Sequence, residues 1–295
     1  MPEPLAECAA VTRTFGPLTV VDRVDLTVGP GEVVGLLGAN GAGKTTLIRM
    51  LLGLLPVSGG SVRLFGRPPS RATRRRIGYV PQTLGLYADL TVAENLAFSR
   101  AVFSVAPSAR QAVPDSLRAY ARVCVRDLPL GVARRAAFAQ ALEHAPELLL
   151  LDEPTSGVDP LARSRLWETI GEAAAGGAGA IVTTHNMDEA GECSRLVVLA
   201  SGLVVAAGTA AEIIGPARTA VVRAADWAVA LRRLEAAGIR AVLSGETLRV
   251  PDRPAPDVAR ALAGLPARVS EEPATLEERF FGLAAAGTAA GQAAG

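Results

Sequence analysis

A glycine-rich segment that ends in a lysine and two threonines is the part of the sequence best suited to chemistry. Residues 38–45 read GANGAGKT and match the phosphate-loop pattern G-x-x-x-x-G-K-[ST] without a mismatch. An apolar stretch precedes the segment and another, Thr45–Leu54, follows it, so we predict a strand, a loop and a helix. Glycines let backbone N–H groups point inward and the helix start adds positive potential, so such a loop can hold phosphates. A glycine-rich hairpin is the alternative interpretation.

This loop predicts a bound nucleoside triphosphate with Mg²⁺. We expect Lys44 to reach the β and γ phosphates and Thr45 to ligate the metal ion. The residues of this segment that we expect to contact the nucleotide are Gly38, Asn40, Gly41, Gly43, Lys44, Thr45 and Thr46.

Two adjacent carboxylates follow the four leucines of Leu148–Leu151. A strand of this kind is buried, and its C-terminal end lies at the sheet edge where α/β proteins bind their ligands. There Asp152 can hold Mg²⁺ through water, and Glu153 can orient or deprotonate an attacking water molecule. Alone, the pair could equally cap a helix; beside a phosphate loop, it predicts a hydrolytic site.

The elements that must position these groups alternate between strands and helices. Residues Val92–Ala141 are predicted to be mainly helical, which suggests a helical subdomain at about 92–141. The later strand candidates are apolar enough to be buried on both faces, so we predict an α/β fold with a mainly parallel, doubly covered sheet. The candidate strands are Thr19–Val28, Glu32–Leu37, Ser61–Phe65, Leu148–Leu151, Ala180–Thr183 and Leu196–Leu199.

The texture of the sequence changes after Gly215, and a smaller pattern of alternating elements begins. Residues 216–283 predict a β-α-β-β-α-β order, that of a small α+β, ferredoxin-like region, with a last helix at Leu276–Leu283. Residues 284–295 are almost all alanine and glycine, so we expect them to be disordered. The predicted domains are therefore 1–215, 216–283 and a tail.

The overall composition limits the classes of partner. The 295 residues are 49% hydrophobic and carry a formal charge of +1, so a polyanion such as nucleic acid is not expected as a partner. The basic residues of Arg71–Arg76 form a cluster too short for a nucleic-acid footprint. The uncharged run Leu196–Ala211 is too short for a membrane helix and predicts a β-hairpin, and the first twenty residues predict neither a secretory signal nor an anchor. The three cysteines lack the paired spacing of a zinc site, so we expect inert thiols and a reducing cytosol.

Taken in order, these motifs resemble the nucleotide-binding subunits of ATP-binding-cassette (ABC) transporters, over roughly Leu5–Ala211. The resemblance implies the ABC fold, with a RecA-like sheet, an antiparallel β part and a helical subdomain. It also implies that Phe15 stacks on adenine, that Gln82 links Mg²⁺ to the membrane partner, and that His185 contacts the γ-phosphate. Ser156–Asp159 would be the loop that crosses a dimer interface. Taken singly, Phe15 could be a core residue, Gln82 a surface residue and His185 a locally bonded one.

The sequence departs from the family at the signature segment. Where the family has Leu-Ser-Gly-Gly-Gln, Leu128–Val132 reads LPLGV. The resemblance implies that this segment contacts the γ-phosphate held by the opposite subunit, but Pro129 supplies neither a hydroxyl nor an N–H group. Leu130 and Gly131 keep their N–H groups, and we expect Gly131 to contact the nucleotide. A working variant and a proline-started helix without nucleotide contact both stay open.

The resemblance is strongest to the type-2 (drug and polymer) export group. It implies an ATP-hydrolysing motor that drives export through a separate transmembrane permease by ATP-dependent closure of a cassette dimer. Both a homodimer and a heterodimer are compatible with the sequence, and the expected location is the cytoplasmic side of the cell membrane. The alternatives are an ABC ATPase that acts on ribosomes or DNA, and a regulatory cassette with low turnover.

Overall fold

A computed structural model describes residues 3–105, 113–251 and 253–283. The chain divides into two compact units, Met1–Ala207 and Gly208–Gly295. The division falls before helix α6 (Ala210–Ile214), ahead of the change of texture seen in the sequence at Gly215.

A six-stranded sheet forms the centre of the first unit, in the order β5-β6-β7-β3-β8-β9. The pairs β5–β6, β6–β7, β7–β3 and β3–β8 are all parallel, which confirms the predicted mainly parallel sheet. Its strands are β3 (Val33–Gly38), β5 (Ile77–Val80), β6 (Leu148–Asp152), β7 (Gly179–Thr184), β8 (Arg195–Ala200) and β9 (Leu203–Gly208).

Both faces of this sheet are covered, as the apolar strands predict. Along β6, Leu148 and Leu150 pack into one hydrophobic cluster, whereas Leu149 and Leu151 pack into a second cluster on the opposite face. Helix α1 (Lys44–Leu51) packs into the first cluster, and helix α5 (Pro160–Ala175) packs into the second. Successive side chains of a strand point to opposite faces, so a strand apolar at every position belongs between two layers.

A second sheet of the first unit is antiparallel, with the order β2-β1-β4. Its strands are β1 (Ala6–Phe15), β2 (Leu18–Val28) and β4 (Gly59–Leu64). The sequence did not indicate β1, because its register with β2 shifts three times along the pairing. Each irregularity interrupts the alternation of buried and exposed residues from which a strand is recognised.

The predicted helical subdomain consists of two α-helices and two short 3-10 helices in its described part. Helix α3 (Val92–Phe103) begins after Thr91, whose hydroxyl accepts a hydrogen bond from the Glu94 N–H in a capping box. Helix α4 (Leu130–Leu142) follows Pro129, which offers no side-chain cap. The 3-10 helices are Asp115–Tyr120 and Val125–Asp127. Elsewhere in this unit lie α2 (Arg71–Arg74) and the 3-10 helix Met187–Glu192.

The second unit contains a four-stranded antiparallel sheet in the order β11-β12-β10-β13. The element order confirms the predicted β-α-β-β-α-β pattern, and residues 276–283 are helical as expected. The elements are β10 (Arg218–Ala224), α7 (Trp227–Ala236), β11 (Val242–Ser244), β12 (Thr247–Val250), α8 (Ala255–Ala261) and β13 (Ala267–Pro273). The predicted disordered tail, 284–295, lies outside the described residues.

All three cysteines are free thiols. Burial raises the pKa of the Cys8 and Cys193 thiols to about 12, so both stay protonated near neutral pH. These two side chains therefore behave as the inert thiols that their spacing predicts.

Candidate functional site

The phosphate loop lies between the end of β3 and the start of α1, as its sequence predicts. Gly43 has a φ of +103°, and a Cβ atom there would lie 2.7 Å from the Val20 carbonyl oxygen. A Cβ atom on Gly38 would lie 2.7 Å from the Leu199 carbonyl oxygen. Both positions therefore require glycine, one for its backbone conformation and both for close approach of neighbouring backbone.

Lys44 is held inside the loop by the loop's own backbone. Its Nζ atom donates to the carbonyl oxygens of Gly38, at 2.8 Å, and Ala39, at 3.2 Å, and lies 3.7 Å from Glu153 Oε1. Burial lowers the pKa of the Lys44 ammonium, while the negative charges of Glu153 and Asp152 oppose that shift. The Lys44 amino group therefore lies beside the carboxylates at the place where a phosphate group would enter.

Asp152 and Glu153 are positioned from the neighbouring strand by Thr183. The Thr183 hydroxyl donates to Asp152 Oδ1 at 2.7 Å and accepts from the Glu153 backbone N–H at 2.8 Å. Thr45 Oγ1 lies 3.2 Å from the same Asp152 oxygen. Thr183 was not predicted as a site residue, although a threonine that ends an apolar strand candidate is the sequence feature that could have indicated it.

Three side chains converge on the Glu153 carboxylate. Gln82 Nε2 donates to Glu153 Oε2 at 3.3 Å, and His185 Nδ1 lies 3.5 Å from the same oxygen. Lys44 Nζ approaches the other carboxylate oxygen at 3.7 Å. The structure thus brings Lys44, Gln82 and His185 together around one carboxylate. In the sequence analysis they were predicted to bind the β and γ phosphates, to link Mg²⁺ to the membrane partner, and to contact the γ-phosphate, respectively.

The oxygen atoms near the loop match what Mg²⁺ requires. Thr45 and Asp152 offer a hydroxyl and a carboxylate within 3.2 Å of each other, whereas the Gln82 amide is directed at Glu153. Within the part of the chain that the structure describes, no three His, Cys, Asp or Glu side chains are grouped as a metal site. Mg²⁺ usually binds through one or two protein oxygens together with substrate phosphates, so these residues fit that mode.

The loop after Glu153 is fixed by contacts to the segment that follows β7. Thr155 Oγ1 donates to the buried Glu189 carboxylate at 2.6 Å. Asp159 caps helix α5 by accepting a hydrogen bond from the Ala162 N–H at 2.9 Å. The two segments meet around a cavity of about 90 Å³ whose lining includes Glu153, Ser156, Gly157, His185 and Asn186.

Phe15 and Gly131 make contacts other than those around Glu153. Phe15 is 45% exposed at the end of β1, and the Arg13 guanidinium carbon lies 4.4 Å from its ring centroid. Gly131 lies in the first turn of α4, where a Cβ atom would be 3.3 Å from Ala162 Cβ. An exposed aromatic face and a helix N-terminus can each serve a nucleotide, but their roles stay predictions.

Comparison with known proteins decides the family. The family model described as ABC transporter matches residues 21–156, which include the phosphate loop, Gln82, Asp152 and Glu153. A Nod factor export ATP-binding protein I from Paraburkholderia xenovorans (strain LB400) is 42% identical over 224 residues, covering 72% of this chain and 74% of the relative. The chain belongs to the ABC transporter family.

Two further relatives extend the comparison of this ABC ATPase. A Nod factor export ATP-binding protein I from Burkholderia lata (strain ATCC 17760) is 38% identical over 297 residues, covering 92% of this chain and 94% of the relative. A solved structure of the ATP-binding subunit of an ABC transporter is 30% identical with a TM-score of 0.66, covering 71% of this chain and 91% of that one. The predictions of the ABC fold, of ATP binding and of ATPase activity are therefore confirmed.

The ATP-binding subunits of ABC transporters work with transmembrane components. None of the helices in residues 3–105, 113–251 and 253–283 has both the length and the apolar character needed to cross a membrane.

Proposed function

We propose that this ABC ATPase is the motor of an exporter and hydrolyses Mg-ATP at the Glu153 carboxylate. The observation that carries the proposal is the convergence of Lys44, Gln82 and His185 on that carboxylate, at 3.3 to 3.7 Å. Coupling of hydrolysis to movement of the permease requires three kinds of group to lie together: those that bind phosphate, those that orient water, and those that contact the permease. Export is proposed because the relatives from Paraburkholderia xenovorans and Burkholderia lata are named export ATP-binding proteins.

Each side chain has a role that its contacts support. Lys44 releases the loop carbonyls and binds the β and γ phosphates, because a phosphate oxygen is a stronger acceptor for an ammonium group than a neutral carbonyl. Glu153 orients or deprotonates the attacking water, and His185 donates to the γ-phosphate. Thr45, Asp152 and Gln82 would hold Mg²⁺, and Gln82 would first have to give up its hydrogen bond to Glu153. The metal ion supplies charge neutralisation of the phosphates.

The complete ATP site is proposed to need a second cassette. Phe15 would stack on the adenine, and the Leu128–Val132 segment of the opposite subunit, including Gly131, would cover the γ-phosphate. Helix α4 begins directly after Pro129, so the N–H groups of its first turn and the positive end of its dipole lie at that segment. The dimer consists of two copies of this chain or of this chain and another cassette.

An apolar surface beside Gln82 fits the proposed contact with the permease. Tyr87 and Phe98 are 53% and 45% exposed and form an edge-on pair with ring centroids 5.1 Å apart. Gln82 is also exposed, and it lies five residues before Tyr87 in the sequence. Binding of the permease to the Tyr87 and Phe98 surface, on the cytoplasmic side of the membrane, would link ATP hydrolysis to movement of the permease.

A low-turnover regulatory cassette is a second candidate, because Pro129 leaves the start of α4 without a side-chain cap. An ABC ATPase that acts on ribosomes or DNA has no such support, since the named relatives are export proteins.

The test compares the ATPase rate of the purified chain with that of Glu153→Gln at saturating Mg-ATP. We expect a turnover of about 0.01 to 10 per second, within or below ordinary enzyme rates, that is lost in the variant while ATP binding remains. Glu277→Gln, in the second unit, is the matched control and should keep the rate. If the wild-type rate equals that of Glu153→Gln with ATP bound, a self-sufficient homodimer is ruled out and the motor requires another subunit.

A further inference from the structure

A buried arginine on α4 has no role in the function described so far. Arg134 is only 4% exposed, and it is surrounded on the helix by the apolar Ala133, Ala137 and Phe138. Burial lowers the pKa of its guanidinium, while the negative charge of Glu153 opposes the shift. A guanidinium remains charged even so, and Arg134 therefore places a full positive charge in the interior.

The hydrogen bonds of Arg134 leave most of its donors unused. Nη2 donates to the backbone carbonyl oxygen of Gln82 at 3.1 Å. Nε and Nη1 are buried and have no hydrogen-bond partner among the described residues. A buried charge with unpaired donors lowers the free energy of unfolding. An apolar side chain of similar volume at this position would give a more stable fold. Stability alone thus does not explain an arginine at this position.

The contacts of Arg134 lead to the hydrolytic carboxylate in two steps. Its guanidinium holds the backbone of Gln82, and the Gln82 side chain donates to Glu153 Oε2 at 3.3 Å. We propose that Arg134 is a positioning residue for ATP hydrolysis, which ties α4 to the Gln82 segment and so sets the Gln82 amide against Glu153. It acts through Gln82 and does not itself contact the reacting atoms.

The position of Arg134 on α4 gives this tie a further consequence, which rests on the proposed dimer. Leu130 belongs to the segment that is proposed to contact the ATP of the opposite subunit. Arg134 lies one helical turn after Leu130 on α4. A shift of α4 on ATP binding there would move the Gln82 carbonyl through Arg134. The unpaired N–H groups on Nε and Nη1 could form hydrogen bonds in the shifted state. Arg134 would in this way connect one ATP site with Glu153 of the other.

The alternative is that Arg134 only fills space between α4 and the Gln82 segment. Arg134→Met distinguishes the two, because methionine keeps much of the volume and removes the charge and all donors. For a positioning residue, we expect an unchanged or higher melting temperature, an unchanged ATP dissociation constant and a kcat at least tenfold lower. Arg134→Lys, which keeps the charge, should recover part of that loss.

The matched control is Arg135→Met. Arg135 is the next residue on the same helix, only partly buried, and its Nη1 donates to the Ser116 carbonyl oxygen at 3.4 Å, away from Gln82. This variant should keep kcat within twofold. A kcat for Arg134→Met that stays within twofold of wild type, or falls only as far as the folded fraction falls, would overturn the proposal.

Two measurements separate positioning from packing. In a Gln82→Ala background, Arg134→Met should lower kcat by less than twofold, because both changes act on Glu153 by one route; fully additive losses would contradict the proposal. Amide hydrogen exchange over residues 82–85 does not require turnover or a dimer. It should be at least tenfold faster in Arg134→Met than in wild type and unchanged in Arg135→Met. If exchange over residues 82–85 is unchanged in Arg134→Met, Arg134 does not connect α4 to the Gln82 segment. This conclusion holds whether or not the proposed motor function is correct.

Discussion

Glu153 adopts a backbone conformation that few residues other than glycine adopt, with a φ of +49°. A strained position of this kind costs on the order of 1 to 3 kcal/mol and persists only where neighbours hold it. Here the Thr183 hydroxyl accepts from the Glu153 N–H and donates to Asp152. One hydroxyl therefore sets the directions of the proposed metal ligand and the proposed base together.

Thr183→Val tests this at the residue scale, because valine has nearly the same shape and no hydroxyl. We expect the free energy of unfolding to fall by about 1 to 3 kcal/mol, since a buried N–H group loses its partner. The kcat should fall on the order of tenfold to a hundredfold, because the carboxylates are no longer held in position. Urea unfolding and an ATPase titration with Mg²⁺ measure the two effects.

Thr184→Val is the control for this change. The Thr184 hydroxyl is also buried but accepts from the Asn186 N–H, whereas the Thr183 hydroxyl donates to Asp152. It should lose similar stability and keep the Mg²⁺ dependence of wild type. If Thr183→Val shows the same Mg²⁺ dependence as well, Thr183 does not position the carboxylates.

At this scale the sequence predicted the side chains that meet around Glu153 and missed Thr183 and Arg134, which contact them. Lys44, Asp152 and Glu153 were predicted from the phosphate loop and from the carboxylate pair after an apolar strand, whereas Gln82 and His185 were predicted from the resemblance to the ABC family. The supporting contacts join residues far apart in the chain, 31 positions between Thr183 and Asp152 and 52 between Arg134 and Gln82. Only the parallel pairing of β6 with β7 and the docking of α4 bring them together.

At the scale of elements, α4 begins without the cap that the family signature would provide. Pro129 occupies the N-cap position with φ −56° and ψ 142°, which suits the chain entry to a helix but leaves its first N–H groups without a side-chain acceptor. The helix is instead stabilised by its buried apolar face, and Arg134 connects it to the backbone of Gln82.

Pro129→Ser restores the hydroxyl, with Pro129→Ala as its matched control. A serine N-cap contributes about 0.5 to 2 kcal/mol, which the loss of proline rigidity offsets by about 0.4 to 1 kcal/mol, so stability should change little. A hydroxyl donor to a phosphate is worth about 1.5 to 3 kcal/mol, so the ATPase rate of Pro129→Ser should rise tenfold or more above that of Pro129→Ala. Equal rates for the two variants would show that this segment does not contact ATP through its hydroxyl.

The elements themselves were predictable where their pattern was regular. The apolar strands and the helix after the phosphate loop follow from period and composition alone. Strand β1 was not predicted, because bulges interrupt its alternation of buried and exposed residues. The subdomain predicted as mainly helical also contains short 3-10 helices at Asp115–Tyr120 and Val125–Asp127. These short helices depend on tertiary contacts such as the Val125 N–H bond to the Leu90 carbonyl, which no local pattern indicates.

At the scale of the whole molecule, the second unit has a hydrophobic cluster of its own. Its sheet and helices enclose a core that includes Val222, Leu234 and Leu248. Beside it, Arg249 is 15% exposed and pairs with Glu278 at 2.6 Å and Glu272 at 3.4 Å. The unit therefore combines a small core with a partly buried ion-pair network. The β-α-β-β-α-β order was predictable from the sequence, but this network was not, because its members lie on β12, β13 and the helix at 276–283.

The Arg249 network makes the stability of the second unit depend on pH. Burial raises the pKa of Glu278, but the hydrogen bonds from Arg249 and the Thr275 N–H outweigh it and hold that pKa below its usual value of 4.5. A carboxyl with a lowered folded-state pKa stabilises the fold above its unfolded pKa, and this stabilisation is lost as the pH falls through the folded pKa. The free energy of unfolding of the unit should therefore decrease below about pH 4.5.

Arg249→Met tests that pH dependence, because the difference in stability between the variant and wild type should be larger at neutral pH than at acidic pH. At pH 7 the variant leaves the Glu278 carboxylate without its cation and should lose about 1.5 to 3 kcal/mol; as the pH falls towards about 3, Glu278 is protonated and the difference from wild type should shrink. Urea unfolding followed by Trp227 fluorescence in a Trp167→Phe background reports on the second unit. Arg218→Met, which breaks an exposed pair with Glu271, should change stability by less than about 1 kcal/mol at either pH. A difference between Arg249→Met and wild type that stays constant from pH 7 to pH 3 would mean that the Glu278 charge does not contribute to the fold.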